Sequence, residues 1–520
     1  MYSNFHSSIS RLTILILTIL LWQTFPLTAQ EQDQILDDID SYIETVRKDW
    51  ETPGFAIAVV KNDEVIFAKG YGVRKIGKDG AVDEHTLFAV ASNTKAFTAA
   101  LLALLVEEGK MNWDDPVNAH LPAFAMFDPW VSQEINVTDL LIHNSGLSVF
   151  GGDHLWIGGS YSRDEIIHRL RYMEPNAPFR AKYQYNNLMY LTAGEVYAAA
   201  AGESWDAAMK RRFFDPLGMD ESNTAIRDLK GLENVAAPHE KRAGEITAVD
   251  YDLLDNVAPA AALNTSVMDM TKWMRLNLNE GQFNGKQLLS KGTINKMHTI
   301  HNPRPISTFN RDVVGVKFSG YGLGWGIINY KGRKVVTHSG GMSGMISLQT
   351  LIPEENLGIM VATNFAPNSM PWALTYYMLD RFLDPENPMH KDWSRIYRDR
   401  LSQIEVRNER REKDVLAKQI ANTSPALALE GYTGTYHDNF SGDAQVRLED
   451  GALVFDYNPR HLGDLEHWHY NTFRVTWRDP IFDMPKKSFL TFYLDDDGNA
   501  EELKVTFYDP LYFQKKDIAE

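Results

Sequence analysis

The tetrad Ser92-Asn93-Thr94-Lys95 follows the apolar run Leu87-Phe88-Ala89-Val90-Ala91 and has the pattern Ser-x-x-Lys. If a helix begins at Ser92, the spacing of three places both side chains on one helix face. A hydroxyl is a weak nucleophile by itself, and the Lys95 amine can then take the Ser92 proton or provide the field that lets another base take it. An N-cap serine followed by a solvated lysine gives the same tetrad without any catalysis. A catalytic interpretation therefore requires further elements downstream.

A second element is Tyr185-x-Asn187, which precedes a helical pattern over residues 188–200. A neighbouring cation favours the phenolate form of tyrosine, so a Tyr185 that faces Lys95 can act as a general base toward Ser92. The alternative is a core aromatic residue beside a capping asparagine.

A third element is Val335-Val336-Thr337-His338-Ser339-Gly340-Gly341, a β-type run that ends in small residues. Glycine lets a backbone approach a substrate closely. A strand edge here can offer one amide N–H to a developing oxyanion, and the Ser92 amide at a helix start can offer another.

The order Ser-x-x-Lys, Tyr-x-Asn, His-x-Gly resembles the class C β-lactamase and penicillin-binding DD-peptidase superfamily over residues 35–385. Supporting segments are Leu140–Leu147, Ala262–Trp273 and Tyr321–Trp325. The resemblance implies that Ser92 is the acylated nucleophile and that Lys95 and Tyr185 transfer its proton. It further implies that Asn187 contacts the amide side chain of the substrate. The opposite wall is expected to hold His338, Ser339 and Gly340, with the Gly341 N–H completing the oxyanion hole. Neither a metal nor an organic cofactor is expected.

His338 departs from the β-lactamase pattern, which has lysine at this place. Histidine is mostly neutral at pH 7, so recognition of a substrate carboxylate should weaken. The resemblance therefore favours a serine hydrolase that cleaves amides or esters, specifically a peptidase acting on D-amino-acid-containing or cell-wall-related peptides. The alternatives are a class C-type β-lactamase, a carboxylesterase, and a non-catalytic sensor that binds penicillin or muropeptides.

The N-terminal residues 1–29 have the pattern of a signal peptide. Arg11 precedes the apolar stretch Leu12–Trp22, which is shorter than the ~20 residues that span a bilayer, and Ala29 is a plausible last residue before cleavage. The chain has no cysteine, which excludes disulfides, thiolate metal sites and a lipoprotein anchor. We expect a periplasmic or secreted protein with no stable membrane span after signal removal, and the alternative is an uncleaved signal anchor.

The formal net charge of −17 would repel nucleic-acid phosphate, so the expected partner is a small-molecule or peptide substrate and no nucleic acid. His467 and His469 have no evident third ligand, and we interpret them as structural or surface residues. The sequence leaves the oligomeric state open.

The patterns predict an α+β fold with several domains. Strands from both ends of residues 35–385 form one antiparallel sheet flanked by helices, and the middle of this region forms a helical lobe, with the active site between them. A helical linker follows over 386–428. Period-two patterns over 429–516 predict a small antiparallel barrel or sandwich, and Leu429–Tyr436 resembles the start of lipocalin-like domains. This domain either restricts access to the cleft, mediates assembly, or packs without contacting substrate.

Overall fold

The computed structural model describes residues 29–242, 244–387, 389–479, 488–507 and 509–516. The predicted signal peptide falls outside these residues except for Ala29, where the first helix begins. Within these ranges, none of the helices combines the length and apolar character that a membrane span requires.

An antiparallel sheet of eight strands forms the centre of the described structure, in the order β2-β1-β14-β13-β12-β11-β10-β9. Its strands are β1 (Gly54–Lys61), β2 (Glu64–Gly72), β9 (Asn302–Pro303), β10 (Ser319–Tyr321), β11 (Gly326–Tyr330), β12 (Arg333–Met342), β13 (Met345–Ile352) and β14 (Leu357–Thr363). The smaller strands are β3 (Phe88–Ala89), β4 (His239–Arg242), β5 (Glu245–Ala248), β6 (Asn264–Thr265), β7 (Gln282–Phe283) and β8 (Lys286–Gln287). The N-terminal hairpin pairs with the last strand, so the two ends of the domain meet in one sheet, as predicted.

The helices pack on both faces of this sheet. They are α1 (Ala29–Asp49), α2 (Thr94–Glu107), α3 (Val117–His120), α4 (Pro129–Glu134), α5 (Val137–Leu141), α6 (Arg163–Arg169), α7 (Asn187–Ala201), α8 (Trp205–Met209), α9 (Asp215–Leu217), α10 (Ala258–Ala261), α11 (Val267–Leu278), α12 (Lys291–Met297), α13 (Met370–Leu383) and α14 (Trp393–Leu416). The predicted α+β class with a helical lobe is confirmed.

Strand β1 shows why both faces of the sheet are covered. Successive side chains of a strand point to opposite faces. Phe55, Ile57 and Val59 enter the core that contains α1, α13 and the start of α14. Ala56 and Ala58 enter the core of the helical lobe. A strand buried on both faces is expected to be apolar, as β1 is over residues 54–60 before it ends at Lys61.

The N-terminal half of α14 packs with the domain that is built on the eight-stranded sheet. Trp393 and Tyr397 are buried in the same core as α1 and α13, and the Trp393 indole N–H donates to Asp380 at 2.8 Å. The predicted helical linker is therefore anchored at its start.

The C-terminal region is a closed eight-stranded antiparallel barrel in the described part of the chain, which decides between the barrel and the sandwich. Its strands are β15 (Gly434–Asp438), β16 (Gly442–Glu449), β17 (Ala452–Asn458), β18 (His461–His469), β19 (Thr472–Trp477), β20 (Ser488–Leu494), β21 (Ala500–Thr506) and β22 (Pro510–Lys515). Aromatic side chains, among them Tyr436, Phe455 and Phe492, are buried in its core.

Candidate active site

Ser92 lies in a tight turn that joins β3 to α2. A 3₁₀ turn spans Ala91–Asn93 and leads directly into α2, which begins at Thr94, so Ser92 lies in the helical turn that opens this helix. Ala91, immediately before Ser92, has a φ of +45°, which is costly for a residue with a Cβ. Ser92 still faces Lys95 across one turn.

Buried polar side chains hold this turn in place. The Thr94 hydroxyl donates to the Ala91 carbonyl and accepts from the Leu263 amide. Asn93 donates to the Ser347 hydroxyl at 2.8 Å, and Ser347 donates to the Val90 carbonyl at 2.9 Å. These bonds tie the turn to β13 and to the chain before β6, so Ser92 is attached to both halves of the fold.

Lys95 is fully buried and points its amine at Ser92. Its Nζ lies 3.1 Å from Ser92 Oγ, 2.8 Å from Asn187 Oδ1 and 2.9 Å from the Ala260 carbonyl. Burial lowers the pKa of Lys95 to about 7, against the opposing attraction of Asp153. A substantial fraction of the amine is therefore neutral near pH 7 and able to accept a proton.

Tyr185 and Asn187 flank the capping residue of α7. The Asn186 side chain accepts from the amides of Leu188 and Met189 and so caps the helix. The Tyr185 hydroxyl interacts with Ser92, and the centre of its ring lies 4.7 Å from the Lys95 amine. Burial raises the pKa of Tyr185 well above its ordinary value. The phenol is thus held in its protonated form, which favours Lys95 for the role of base that the sequence left open between Lys95 and Tyr185.

His143 packs against the ring of Tyr185. Its Nδ1 accepts the Asn186 amide at 3.1 Å, and its ring lies 4.2 Å from the Tyr185 ring. Burial lowers the pKa of His143 well below its ordinary value, so it is neutral. It packs against the catalytic candidates and does not carry charge.

Strand β12 forms the wall opposite Tyr185. Its pairing with β11 runs from Arg333 to Thr337, and the following residues reach the cleft. His338, Ser339 and Gly341 line the cleft together with Ser92 and Tyr185. Gly340 departs from its predicted place in this wall, because a Cβ there would lie 1.9 Å from the Val90 carbonyl oxygen. It packs against the nucleophile turn.

His338 uses both of its ring nitrogens inside the protein. Its Nδ1 is 2.7 Å from the Ser339 carbonyl and must donate to it, so Nε2 accepts the Tyr321 hydroxyl at 2.8 Å. Burial lowers the pKa of His338 to about 3. The residue offers a substrate carboxylate no positive charge.

A cleft of about 760 Å³ leads to Ser92, and two arginines, Arg304 and Arg400, line it. The Arg304 guanidinium lies 5.0 Å from the centre of the Tyr183 ring, which lines the same cleft as Ser92. Among the described residues that line the cleft, none is acidic. The sequence analysis missed Arg304, because nothing in the local pattern His301–Pro305 indicates a site.

The sequence analysis also missed Asp153, a buried carboxylic acid beside Asn187. Asn187 Nδ2 donates to Asp153 Oδ2 at 2.8 Å, and the Trp156 indole donates to Oδ1 at 2.9 Å. Burial raises the pKa of Asp153 to about 7. Asn187 is accordingly held between Lys95 and Asp153, and the structure directs its side chain at Lys95 and not at the open cleft.

Comparison with known families agrees with this geometry. A family model described as β-lactamase matches residues 39–379, about two thirds of the chain. The chain belongs to the β-lactamase family. This places it in the superfamily of β-lactamase-like and penicillin-binding-protein-like serine hydrolases. The model of a domain of unknown function, DUF3471, matches residues 418–518, which include the barrel strands.

Two relatives are similar to this chain over about two thirds or more of its length. An unguisins hydrolase of Aspergillus campestris is 28% identical over 79% of this chain and 77% of its own length. The protein flp of Staphylococcus aureus is 26% identical over 66% of this chain and 65% of its own length. The structure of an octameric penicillin-binding protein homologue from Pyrococcus abyssi has a TM-score of 0.61 and 22% identity, and the match covers 92% of this chain and all of that one. The structural likeness supports the fold.

Proposed function

We propose that this protein is a serine hydrolase that cleaves amide or ester bonds through an acyl-enzyme on Ser92. The observation that carries the proposal is the contact of Ser92 Oγ with Lys95 Nζ at 3.1 Å, at the end of a cleft. An amine with its pKa lowered to about 7 is a suitable proton acceptor at neutral pH. The hydrolases among the relatives support the same chemistry.

In the proposed mechanism the Ser92 proton moves to the neutral Lys95 amine while Ser92 Oγ bonds to the carbonyl carbon. The carbonyl electron pair shifts to oxygen, where the amides of Ser92 and Gly341 stabilise the oxyanion. Collapse of the intermediate breaks the bond to the leaving nitrogen or oxygen, which takes a proton from the Lys95 ammonium through the Tyr185 hydroxyl and departs as an amine or an alcohol. Water then attacks the acyl group with the same proton transfers, which releases the acid and restores Ser92.

The favoured substrate is a peptide that contains D-amino acids or derives from the cell wall, and the protein is proposed to act after export. Arg304 narrows the proposed substrate class to molecules that carry a carboxylate, because it is a fixed cation in a cleft without acidic lining residues. A β-lactamase or a carboxylesterase would use the same chemistry. The alternative of another class is a sensor that binds such ligands without turnover.

Intact mass spectrometry after incubation with a fluorophosphonate tests the proposed nucleophile. We expect one adduct on the native protein, formed with loss of fluoride, and none on Ser92→Ala. Ser307→Ala is a matched control, since Ser307 is an exposed serine of the same cleft and should leave the adduct intact. Absence of any adduct or turnover in the native protein would support the sensor.

Parallel assays with nitrocefin, a p-nitrophenyl ester and D-alanyl p-nitroanilide rank the enzyme alternatives. The peptidase proposal expects the anilide to have the highest kcat/KM. Preferred turnover of nitrocefin would contradict it and favour a β-lactamase.

A further inference from the structure

The hydrogen bonds around Asn187 determine which end of its amide faces Lys95. The Lys95 amine, neutral or protonated, has the donors for its bonds to the Ala260 carbonyl at 2.9 Å and to Asn187 at 2.8 Å, so it requires the Asn187 oxygen. The NH₂ group then points to the other side and requires an acceptor. Asp153 supplies this acceptor at 2.8 Å. An amide can satisfy both neighbours in one orientation only.

Asp153 is held by its own segment and not by the sheet or by α2. The Trp156 indole N–H fixes Oδ1 at 2.9 Å, which leaves Oδ2 directed at Asn187. Asp153 is 3% exposed. A buried carboxylate with two side-chain donors is a defined acceptor, and its removal would leave the Asn187 NH₂ group without a partner.

The C-terminal barrel holds this segment in position. The Ser441 hydroxyl lies 3.1 Å from His154 Nε2, and Asn458 donates to the Ile157 carbonyl at 3.0 Å. The Phe440 ring is buried in the core of the helical lobe, against Gly152. The barrel thus contacts the residues on either side of Asp153.

We propose that Asp153 is a positioning residue that orients the Asn187 amide toward Lys95, and that docking of the C-terminal barrel keeps Asp153 in place. The barrel then contributes to the geometry of Lys95 without touching the substrate. This inference rests on the proposed function, because its main readout is acylation of Ser92.

The first test compares acylation rates of the native protein and Asp153→Asn with a fluorophosphonate. We expect acylation to slow roughly 10- to 100-fold, since displacement of a reacting group by about 1 Å has effects of this size. Trp156→Phe removes only the indole donor and should slow acylation less. Asp380→Asn is the matched control, because Asp380 is also a buried carboxylate that accepts an indole N–H, from Trp393 at 2.8 Å, but it lies outside the site. The Asp380→Asn variant should lose stability without slowing acylation.

A pH profile separates positioning from a general loss of packing. The titratable groups that interact with the Asp153 charge are Lys95 on α2 and Tyr185 before α7. The Asp153 carboxylate favours protonated Lys95, so its neutralisation should move the acid limb of acylation to lower pH. An unchanged rate and an unchanged limb in Asp153→Asn would overturn the inference.

Phe440→Ala and Phe473→Ala test the contribution of the barrel. Phe440 packs into the helical lobe, whereas Phe473 lies inside the barrel, and both are buried. We expect slower acylation in Phe440→Ala alone. Equal rates in the two variants would overturn the role of docking.

A crystal structure of Asp153→Asn provides a readout that does not depend on activity. The inference expects the contact between Lys95 Nζ and Asn187 to lengthen, and a contact retained at 2.8 Å would contradict it. If the native protein forms no adduct, the proposed function fails, and this structure still tests the positioning.

Discussion

The carbonyl oxygen of Val90 lies so close to Gly340 that a Cβ at that glycine would be 1.9 Å from it. This contact brings strand β12 directly against the turn that carries Ser92. Since β12 belongs to the sheet and the turn leads into the helical lobe, the two halves of the cleft are fixed at this point.

Gly340→Ala should therefore destabilise the protein by about 3 kcal/mol, the upper part of the range for overpacking a core. Gly341→Ala is the control, because its Cβ would meet only the flexible Ile346 side chain at 3.2 Å. Urea unfolding of both variants measures the difference in the free energy of unfolding. Equal losses would show that the contact with Val90 does not constrain position 340.

The pH dependence of kcat/KM for a neutral ester should have an acid limb with a midpoint near 7, where Lys95 loses its proton. Lys95→Arg should lower kcat/KM by about 10³-fold, within the range for loss of a general base, because a guanidinium stays protonated. His338 is neutral across this range and should add no limb. Full activity of Lys95→Arg would exclude Lys95 as the base.

The stability of Lys95→Met should depend on pH in a defined direction. The pKa of Lys95 is lowered from 10.5 to about 7 on folding, so between these values the unfolded chain binds more protons and the stability of the native protein rises with pH. Methionine does not titrate. Lys95→Met should consequently gain the most stability over the native protein at pH 7, and this gain in the free energy of unfolding should decline toward pH 10. A constant difference over this range would mean that Lys95 keeps its ordinary pKa.

Arg304→Gln should raise KM for a D-alanyl peptide with a free C-terminal carboxylate by about 10-fold, as expected for loss of one charge-assisted hydrogen bond. The same peptide with a C-terminal carboxamide is the control substrate and should be little affected. Steady-state kinetics with both peptides measures the effect. Equal changes for the acid and the amide would assign Arg304 a structural role.

The sequence predicted the α+β architecture well, because it depends on local patterns. Strands from both ends of residues 35–385 share one antiparallel sheet, and the period-two patterns over 429–516 form the strands of the barrel. The positive φ of Ala91 before Ser92 could not be predicted, because the turn is held by bonds from distant residues such as the Leu263 amide. Local propensity carries no information about those bonds.

By itself, the sequence determined which groups are available for chemistry: one Ser-x-x-Lys tetrad, a tyrosine two residues before an asparagine, and a strand that ends in glycines. Only the tertiary structure decided the protonation states of these groups. Burial makes Lys95 the better proton acceptor and keeps Tyr185 protonated, because desolvation penalises the charged form of each. It also neutralises His338 and joins Asp153 to Asn187 across 34 residues of chain. Such effects depend on what surrounds a side chain in space, which no spacing in the sequence specifies.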